Sequence, residues 1–313
     1  MEVVRGLESV RKFDKPTVVT IGVYDGVHLG HLSIIKRCIE RAEKIRGASV
    51  VITFEPMPLA LLAPDEAPQR ITTLSQKVAY MEQLGIDVLL VARFDERFAA
   101  MSPSEFIDVV LSEKLNATVV VVGSDFRFGR NRSGDVEFLR RYLSPKGVEV
   151  EAVEQVEIDG LPVSSTRIRK LLDSGDIEAA AKLLGRYPVV EGTVVAGRRR
   201  GKKLGFATAN VDVENSGAVP KSGVYAGFAL IDAEKLPAVI DIGTSPTFRD
   251  VKKVEFHAHI IGFERDIYGK KIDVELIKKL REEVPFESTD ELRAQIKRDI
   301  EEAVRLLREK QTT

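Results

Sequence analysis

The stretch Thr17-Val18-Val19-Thr20-Ile21-Gly22-Val23-Tyr24-Asp25-Gly26-Val27-His28-Leu29-Gly30-His31 decides the fold. Thr17 to Val23 is a β-branched run with no polar alternation, the pattern of a strand buried on both faces of a parallel sheet. Gly22, Asp25 and Gly26 break that strand, and an amphipathic pattern from Leu32 to Ile45 follows. His28 and His31 therefore fall at the turn between a strand end and a helix start. A helix N-terminus offers unpaired N–H groups and a partial positive charge, which suit an anionic ligand such as a phosphate. Gly22, Gly26 and Gly30 let a nucleotide approach the backbone closely. Packing is the ordinary reading of a single histidine, but here two of the four histidines in the chain sit three residues apart at one glycine-rich turn. A zinc pair is the competing chemistry, and no further Cys or His lies nearby in sequence to complete it. Phosphate handling is the better account.

Outward from this turn, the first half alternates strand and helix. Ser49–Phe54, Asp87–Ala92, Thr118–Val122 and Val148–Val153 read as strands, and Leu74–Leu84 has helical spacing. Ser102-Pro103-Ser104-Glu105 opens another helix, with Ser102 as N-cap, Pro103 at N1 and Glu105 completing a capping box. Such alternation predicts a doubly wound parallel sheet with helices on both faces, whose ligands bind beyond the carboxyl ends of the strands. The turn after Val122 falls where such ligands lie, as does the turn carrying His28 and His31. Gly123-Ser124-Asp125-Phe126-Arg127-Phe128-Gly129-Arg130 is a loop with two aromatic anchors and cations that can pair with phosphate oxygens. Ser164-Ser165-Thr166-Arg167-Ile168-Arg169 begins a helix over Ser165–Leu172. Ser164 there serves equally as a plain N-cap or as one of several hydroxyls facing a polyphosphate.

The pattern changes near Gly185. After a helix over Ile177–Leu184, Gly185-Arg186-Tyr187-Pro188 reads as a linker. Val189–Val195, Val224–Ile231, Ala238–Ile242, Val254–Ile260 and Ile272–Leu276 then read as short strands separated by turns, which predicts a small antiparallel barrel. A final helix carries Ser288 and Glu291 as a capping box and the apolar stripe Leu292, Ile296, Ile300, Ala303 and Leu307. Two domains are expected, 1–185 and 186–313. Within the second, Gly197-Arg198-Arg199-Arg200-Gly201-Lys202-Lys203-Leu204-Gly205-Phe206-Ala207-Thr208-Ala209-Asn210 opens as a basic run between glycines. It lacks the Ser or Thr after Gly-Lys that a Walker A loop needs. It fits a cationic flap over a polyphosphate, and Thr208 and Asn210 offer hard oxygen donors suited to Mg²⁺.

Taken together these motifs resemble those of the bacterial bifunctional riboflavin kinase/FMN adenylyltransferase (FAD synthetase) family. Residues 22–31 resemble its GxFDGVHxGH signature, with Tyr24 in place of Phe, and include the HxGH element of the wider nucleotidylyltransferases. Residues 123–129 resemble its GxDFxFG segment, and Ser164, Ser165, Thr166 and Arg169 its SSTxIR motif. Residues 205–210 resemble the riboflavin kinase GFPTAN motif, with Ala207 replacing Pro. Residues 243–248 resemble GTxPTF, with Ser245 replacing the usual larger polar residue. Residues 266–269 resemble DLYG, 272–276 IxVEF and 280–283 LRxE.

The resemblance spans about Thr17 to Ala303 and implies two ATP-dependent steps, riboflavin to FMN in the barrel and FMN to FAD in the sheet domain. It implies catalytic roles for His28, His31 and Glu275, the last as general base. Nucleotide or phosphate contacts would come from Gly22, Asp25, Gly26, Gly30, Gly123, Asp125, Arg127, Ser164, Ser165, Thr166 and Arg169, and in the barrel from Gly197, Gly201, Lys203 and Gly205. Flavin contacts would come from Phe126, Phe128 and Arg281, and Mg²⁺ ligands from Thr208 and Asn210. The strand pattern itself singles out no residue, since Asp273 and Glu275 share one face.

The totals set bounds. The 313 residues are 44% hydrophobic and 30% charged, ordinary for a two-domain globular chain. A formal net charge of −1 gives no general attraction to nucleic acid or an anionic membrane. The single cysteine, Cys38, allows no intrachain disulfide and fits a reducing compartment. Met1–Asp14 is charged and does not read as a signal peptide, and no apolar run is long enough to span a bilayer. The expected location is the cytoplasm and the expected partners are small molecules. Two alternatives stand beside the bifunctional expectation. One is an adenylyltransferase whose kinase is weak or lost through Ala207 and Ser245; the other is a non-catalytic flavin- or RNA-binding protein that uses Arg198–Lys203.

Overall fold

The structure is a computed structural model that describes residues 1–196, 206, 208–246 and 252–311. The chain divides into two compact units, Met1–Ser164 and Ser165–Thr313.

The first unit is built on a six-stranded parallel sheet: β1 (Glu2–Arg5), β2 (Thr17–Ile21), β3 (Ala48–Glu55), β4 (Val88–Arg93), β5 (Ala117–Gly123) and β6 (Glu149–Val153), in the order β1-β4-β3-β2-β5-β6. All five ladders are parallel. Strands buried on both faces need no polar alternation, and β2 is buried at every position. Its side chains alternate between two cores. Val19 and Ile21 join Ile52, Leu90 and Val120 on one face, while Val18 packs with Cys38, Val119 and Val121 on the other. The first helix, Leu29–Ile45, covers the second face through Ile35, Cys38 and Ala42.

Most expected elements are present within a residue or two. The helix over Leu74–Leu84 is capped by a Thr73/Gln76 capping box, and Ser102 and Glu105 form the predicted one. The short edge strand β1 was not expected, because its EVVR sequence sits in a charged leader with too little alternation to signal a strand. A small hairpin of β7 (Glu157–Ile158) and β8 (Leu161–Pro162) follows the sheet.

The second unit opens with helices Ser165–Ser174 and Ile177–Leu184 and continues as a closed six-stranded barrel. Its strands are β9 (Val189–Val195), β10 (Ala209–Asp212), β11 (Gly223–Ile231), β12 (Glu234–Pro246), β13 (Lys252–Ile260) and β14 (Lys271–Arg281), all paired antiparallel in the order β10-β13-β12-β11-β14-β9. Five of these strands were expected. The sixth, β10, is four residues long and closes the ring by pairing with both β9 and β13. The C-terminal helix, Thr289–Gln311, packs Ala303 and Leu307 against Val224, Ala226 and Phe228 on the outer face of the barrel. Ser288 accepts from the Glu291 N–H at 3.2 Å, the backbone half of the predicted capping box.

Candidate active sites

The turn after β2 is tightly constrained. Tyr24, Gly26 and Val27 all have positive φ, 49°, 83° and 40°, and for a β-branched valine that conformation is strained. Tyr24 folds back under the strand so that its hydroxyl meets Thr20 Oγ1 at 2.6 Å. Gly22 is required by this arrangement, because a Cβ there would lie 2.9 Å from the Tyr24 ring. The turn delivers His28 to the N-cap of the first helix, where its Nδ1 accepts a long 3.4 Å bond from the His31 N–H. An accepting Nδ1 carries no proton, so the neutral ring holds its proton on Nε2 and can donate there. The His28 and His31 rings stack at 3.6 Å, and Tyr24 meets His31 edge-on at 5.2 Å. The expected helix start at Leu32 moves forward by one turn because His28 supplies the cap. Among the described residues no third metal-type ligand joins the two histidines.

Asp25 turns inward. It is 3% exposed, and its Oδ1 accepts from the Ile71 and Thr72 N–H groups at 2.8 and 3.3 Å. Its place is therefore to brace the turn against residues 71–72, a long-range contact that spacing within the motif does not signal. Gly30 packs against the segment ahead of Ser164: a Cβ there would stand 3.3 Å from the His28 ring and 3.5 Å from the Val163 carbonyl.

Gly123 ends β5, and its carbonyl accepts from the Phe126 N–H at 3.0 Å. Phe126 and Phe128 stack 5.5 Å apart, and Phe128 continues into a series of aromatic contacts through Phe106 and Phe98 to Phe54. Asp125 accepts from Gln155 and Arg127 pairs with Asp135, both near the surface at 3.0 Å. Such exposed pairs are weak and leave Arg127 exchangeable toward an anion. Ser164 is the last residue of the first unit, while Ser165, Thr166 and Arg169 lie on the opening turns of the helix that begins the second.

In the barrel, one cavity of about 850 Å³ lies beside β10, β12 and β13 and reaches the C-terminal helix. Thr208, Asn210 and Arg281 all line it, so three of the sequence-predicted residues come together. Asp241, Glu255, His257, Glu283 and Asp299 line it too. His257 pairs with Asp241 at 3.5 Å, and that hydrogen bond raises the imidazole pKa. Burial, with Asp241 and Glu255 nearby, raises that of Glu283. Glu255 projects from β13, exposed and without a side-chain hydrogen bond among the described residues. Arg281 binds Asp299 through Nε and Nη2, the latter at 2.8 Å, and its guanidinium lies over Phe286 at 5.7 Å. The neutral oxygens of Thr208 and Asn210, beside carboxylates in one cavity, are a donor set that fits a hard cation.

Glu275 is placed elsewhere. It is not among the residues lining the cavity; it lies opposite Phe228 on β11 and Val189 on β9, and pairs with Lys235 at 2.5 Å. Six residues of extended chain separate it from Arg281, roughly 20 Å at strand rise. Gly197, Gly201, Lys203, Gly205 and Ala207 lie outside the described residues, as does the side chain of Ser245. The sequence reading passed over Glu255, whose only signal was its place on a strand that also carries His257 and His259 at alternate positions.

A doubly wound sheet offering a histidine-capped helix at the carboxyl end of its first long strand, joined to a closed barrel with a polar cavity, defines a two-part nucleotide-handling protein. The FAD synthetase profile matches residues 10–167 and the riboflavin kinase profile residues 184–307. The chain is 38% identical over 300 residues to the bifunctional riboflavin kinase/FMN adenylyltransferase of Pseudomonas fluorescens, covering 96% of each chain. The counterpart from Escherichia coli (strain K12) is also 38% identical over 96% of both, and that from Haemophilus influenzae 33% identical over 97% of this chain and 98% of its own. A solved structure described as a macrolide-efflux protein from Streptococcus pneumoniae superposes with a TM-score of 0.88 at 29% identity, over 96% of this chain and 98% of that one. Among the described residues no helix is long and apolar enough to cross a membrane. The chain belongs to the bifunctional riboflavin kinase/FMN adenylyltransferase family.

Proposed function

We propose that the barrel phosphorylates riboflavin and the sheet domain adenylylates the resulting FMN, with the functional boundary near residue 185. The observation that carries the assignment is the meeting of Thr208, Asn210, Arg281 and Glu255 around one cavity, in a chain whose other unit presents His28 and His31 at a helix N-terminus.

In the kinase step the 5′-hydroxyl of riboflavin attacks the γ-phosphorus of ATP. The bond to the bridging oxygen breaks, ADP leaves, and the hydroxyl proton passes to a carboxylate. Glu255 is that base: it stands on a paired strand at the cavity and is held by no side-chain hydrogen bond among the described residues, whereas Asp299 is committed to Arg281 and Gln295. Thr208 and Asn210 would hold Mg²⁺ brought with ATP, and Mg²⁺ supplies neutralisation of phosphate charge when bound. Arg281 is held at the cavity for the flavin.

In the adenylyl step the FMN phosphate attacks the α-phosphorus of a second ATP and pyrophosphate leaves. A phosphate monoester with a second pKa of about 6 is already largely ionised at neutral pH, so no base is needed. His28 and His31 donate to the phosphates as charge builds. Ser164, Ser165, Thr166 and Arg169 would add contacts at the triphosphate, and Phe126 and Phe128 an aromatic surface for the flavin ring. The cytoplasm is the compartment this reading implies, and Cys38, a buried free thiol, is compatible with it.

The test is a time course. Purified protein is incubated with riboflavin, ATP and Mg²⁺ and the flavins are separated chromatographically. FMN should rise first and FAD follow. Persistence of riboflavin with conversion of supplied FMN to FAD would leave an adenylyltransferase alone. Absence of turnover, with salt-sensitive RNA binding, would leave a binding protein.

A further inference from the structure

Lysine is almost never fully buried unless its charge is compensated. Lys77, on the helix Leu74–Leu84, is 4% exposed and belongs to no motif of the sequence. Its Nζ donates to the Val23 carbonyl at 2.7 Å and to Thr53 Oγ1 at 3.1 Å. Thr53 in turn donates to the same Val23 carbonyl at 3.0 Å, which closes a triangle of hydrogen bonds at the carboxyl end of β3. Val23 is the last residue before the positive-φ turn of Tyr24, Gly26 and Val27. On the far side of that turn Gly26 N–H donates to Thr72 Oγ1 at 3.2 Å, and Asp25 grips residues 71–72. Burial pushes the Lys77 pKa down, while the Asp25 and Glu55 carboxylates oppose that and Arg70 adds to it.

A strained turn persists only where its surroundings over-determine it. Here the restraint on the entry side is a buried cation and that on the exit side a buried carboxylate. We propose that Lys77 is a positioning residue for adenylyl transfer, its ammonium fixing the Val23 carbonyl and, through the turn, the places of His28 and His31. The inference rests on the adenylyltransferase reading above. Lys77 touches neither histidine; its effect is geometric. Misplacement of catalytic donors by about 1 Å costs on the order of 100-fold in rate.

The test uses the full chain carrying Lys77→Met, which keeps the length of the stem and removes the charge. FAD formation from supplied FMN and ATP is measured alongside FMN and ATP binding stoichiometry, and riboflavin phosphorylation reports on the other unit. The expected result is a kcat for FAD formation about 10- to 100-fold lower, with near-full binding stoichiometry, KM values within about threefold and an unchanged kinase. Loss of kcat in proportion to lost binding stoichiometry, or an unchanged kcat, would overturn the proposal. Where Lys77→Met does not fold, Thr53→Val decides: a severalfold lower kcat with full binding supports the role, and parental kcat refutes it. Absence of FAD formation by the parent chain would instead remove the underlying reading.

Discussion

Replacing Asp299 by Ala tests how the C-terminal helix is held to the barrel and, with it, how Arg281 is kept at the cavity. The Asp299 side chain is 5% exposed and that of Arg281 22%. The carboxylate accepts from Arg281 Nε at 3.0 and 3.1 Å, from Nη2 at 2.8 Å and from Gln295 at 2.8 Å. Truncation strands a largely buried guanidinium, and breaking one side of a buried pair costs about 3–5 kcal/mol. The residual exposure of Arg281 lets water reach it, which puts the expected loss near the lower figure, about 3 kcal/mol. For a unit of this size that corresponds to a fall of roughly 6–12 °C in Tm. The assay is a thermal melt of the full chain, read with riboflavin phosphorylation. The double replacement Arg281→Met with Asp299→Leu removes both charges and should recover most of the stability without recovering phosphorylation. A single variant melting within about 2 °C of the parent would refute the ion-pair argument. So would a double variant no more stable than the single one, because uncompensated charge would then not be the cause.

Three further outcomes are expected. Glu255→Gln should lower the rate of FMN formation by about 100- to 10,000-fold, while Glu275→Gln retains it; the reverse pattern, measured on riboflavin and ATP, would return the base to Glu275. His28→Ala should slow FAD formation from supplied FMN by about 100- to 1,000-fold and leave riboflavin phosphorylation intact, and full FAD formation would sink the donor role. Burial pushes the Cys38 thiol up to about 12 from its ordinary 9.0, and its Sγ donates to the Val18 carbonyl at 3.2 Å. A raised folded pKa means that the contribution is complete below about pH 9 and is lost as pH rises toward 12. The stability difference between the parent and Cys38→Ala, followed by urea unfolding, should therefore shrink across that window, and a constant difference would contradict it.

The parts of this architecture written in short-range pattern were legible in the sequence. The β2 run, the alternation after it and the Ser102/Glu105 capping box are local statements, and the HxGH turn combines a strand end, glycines and a helix start within fifteen residues. What escaped is long-range. The sequence marks Asp25 as a strand breaker but carries no sign of residues 71–72, which donate to it, and Lys77 lies in a stretch whose helical spacing says nothing of its burial. The proposed kinase base shows the same limit. Alternation puts Asp273 and Glu275 on one face of β14 but does not say which end of the barrel lies under the C-terminal helix. Only closure of the ring does, and it brings Glu255, from another strand, to the cavity shared with Thr208 and Asn210.

That closure rests on β10, the shortest barrel strand, in which Asn210 faces His257 on one side and Val195 on the other. One residue thus lends its backbone to sealing the cylinder and its side chain to the wall of the cavity. Selection on the chemistry of this position is also selection on the keystone of the barrel. A proline here would remove an N–H from the ladder and reshape the cavity wall in the same stroke. Change at this position is therefore constrained twice over, by the ring it closes and by the cavity it walls.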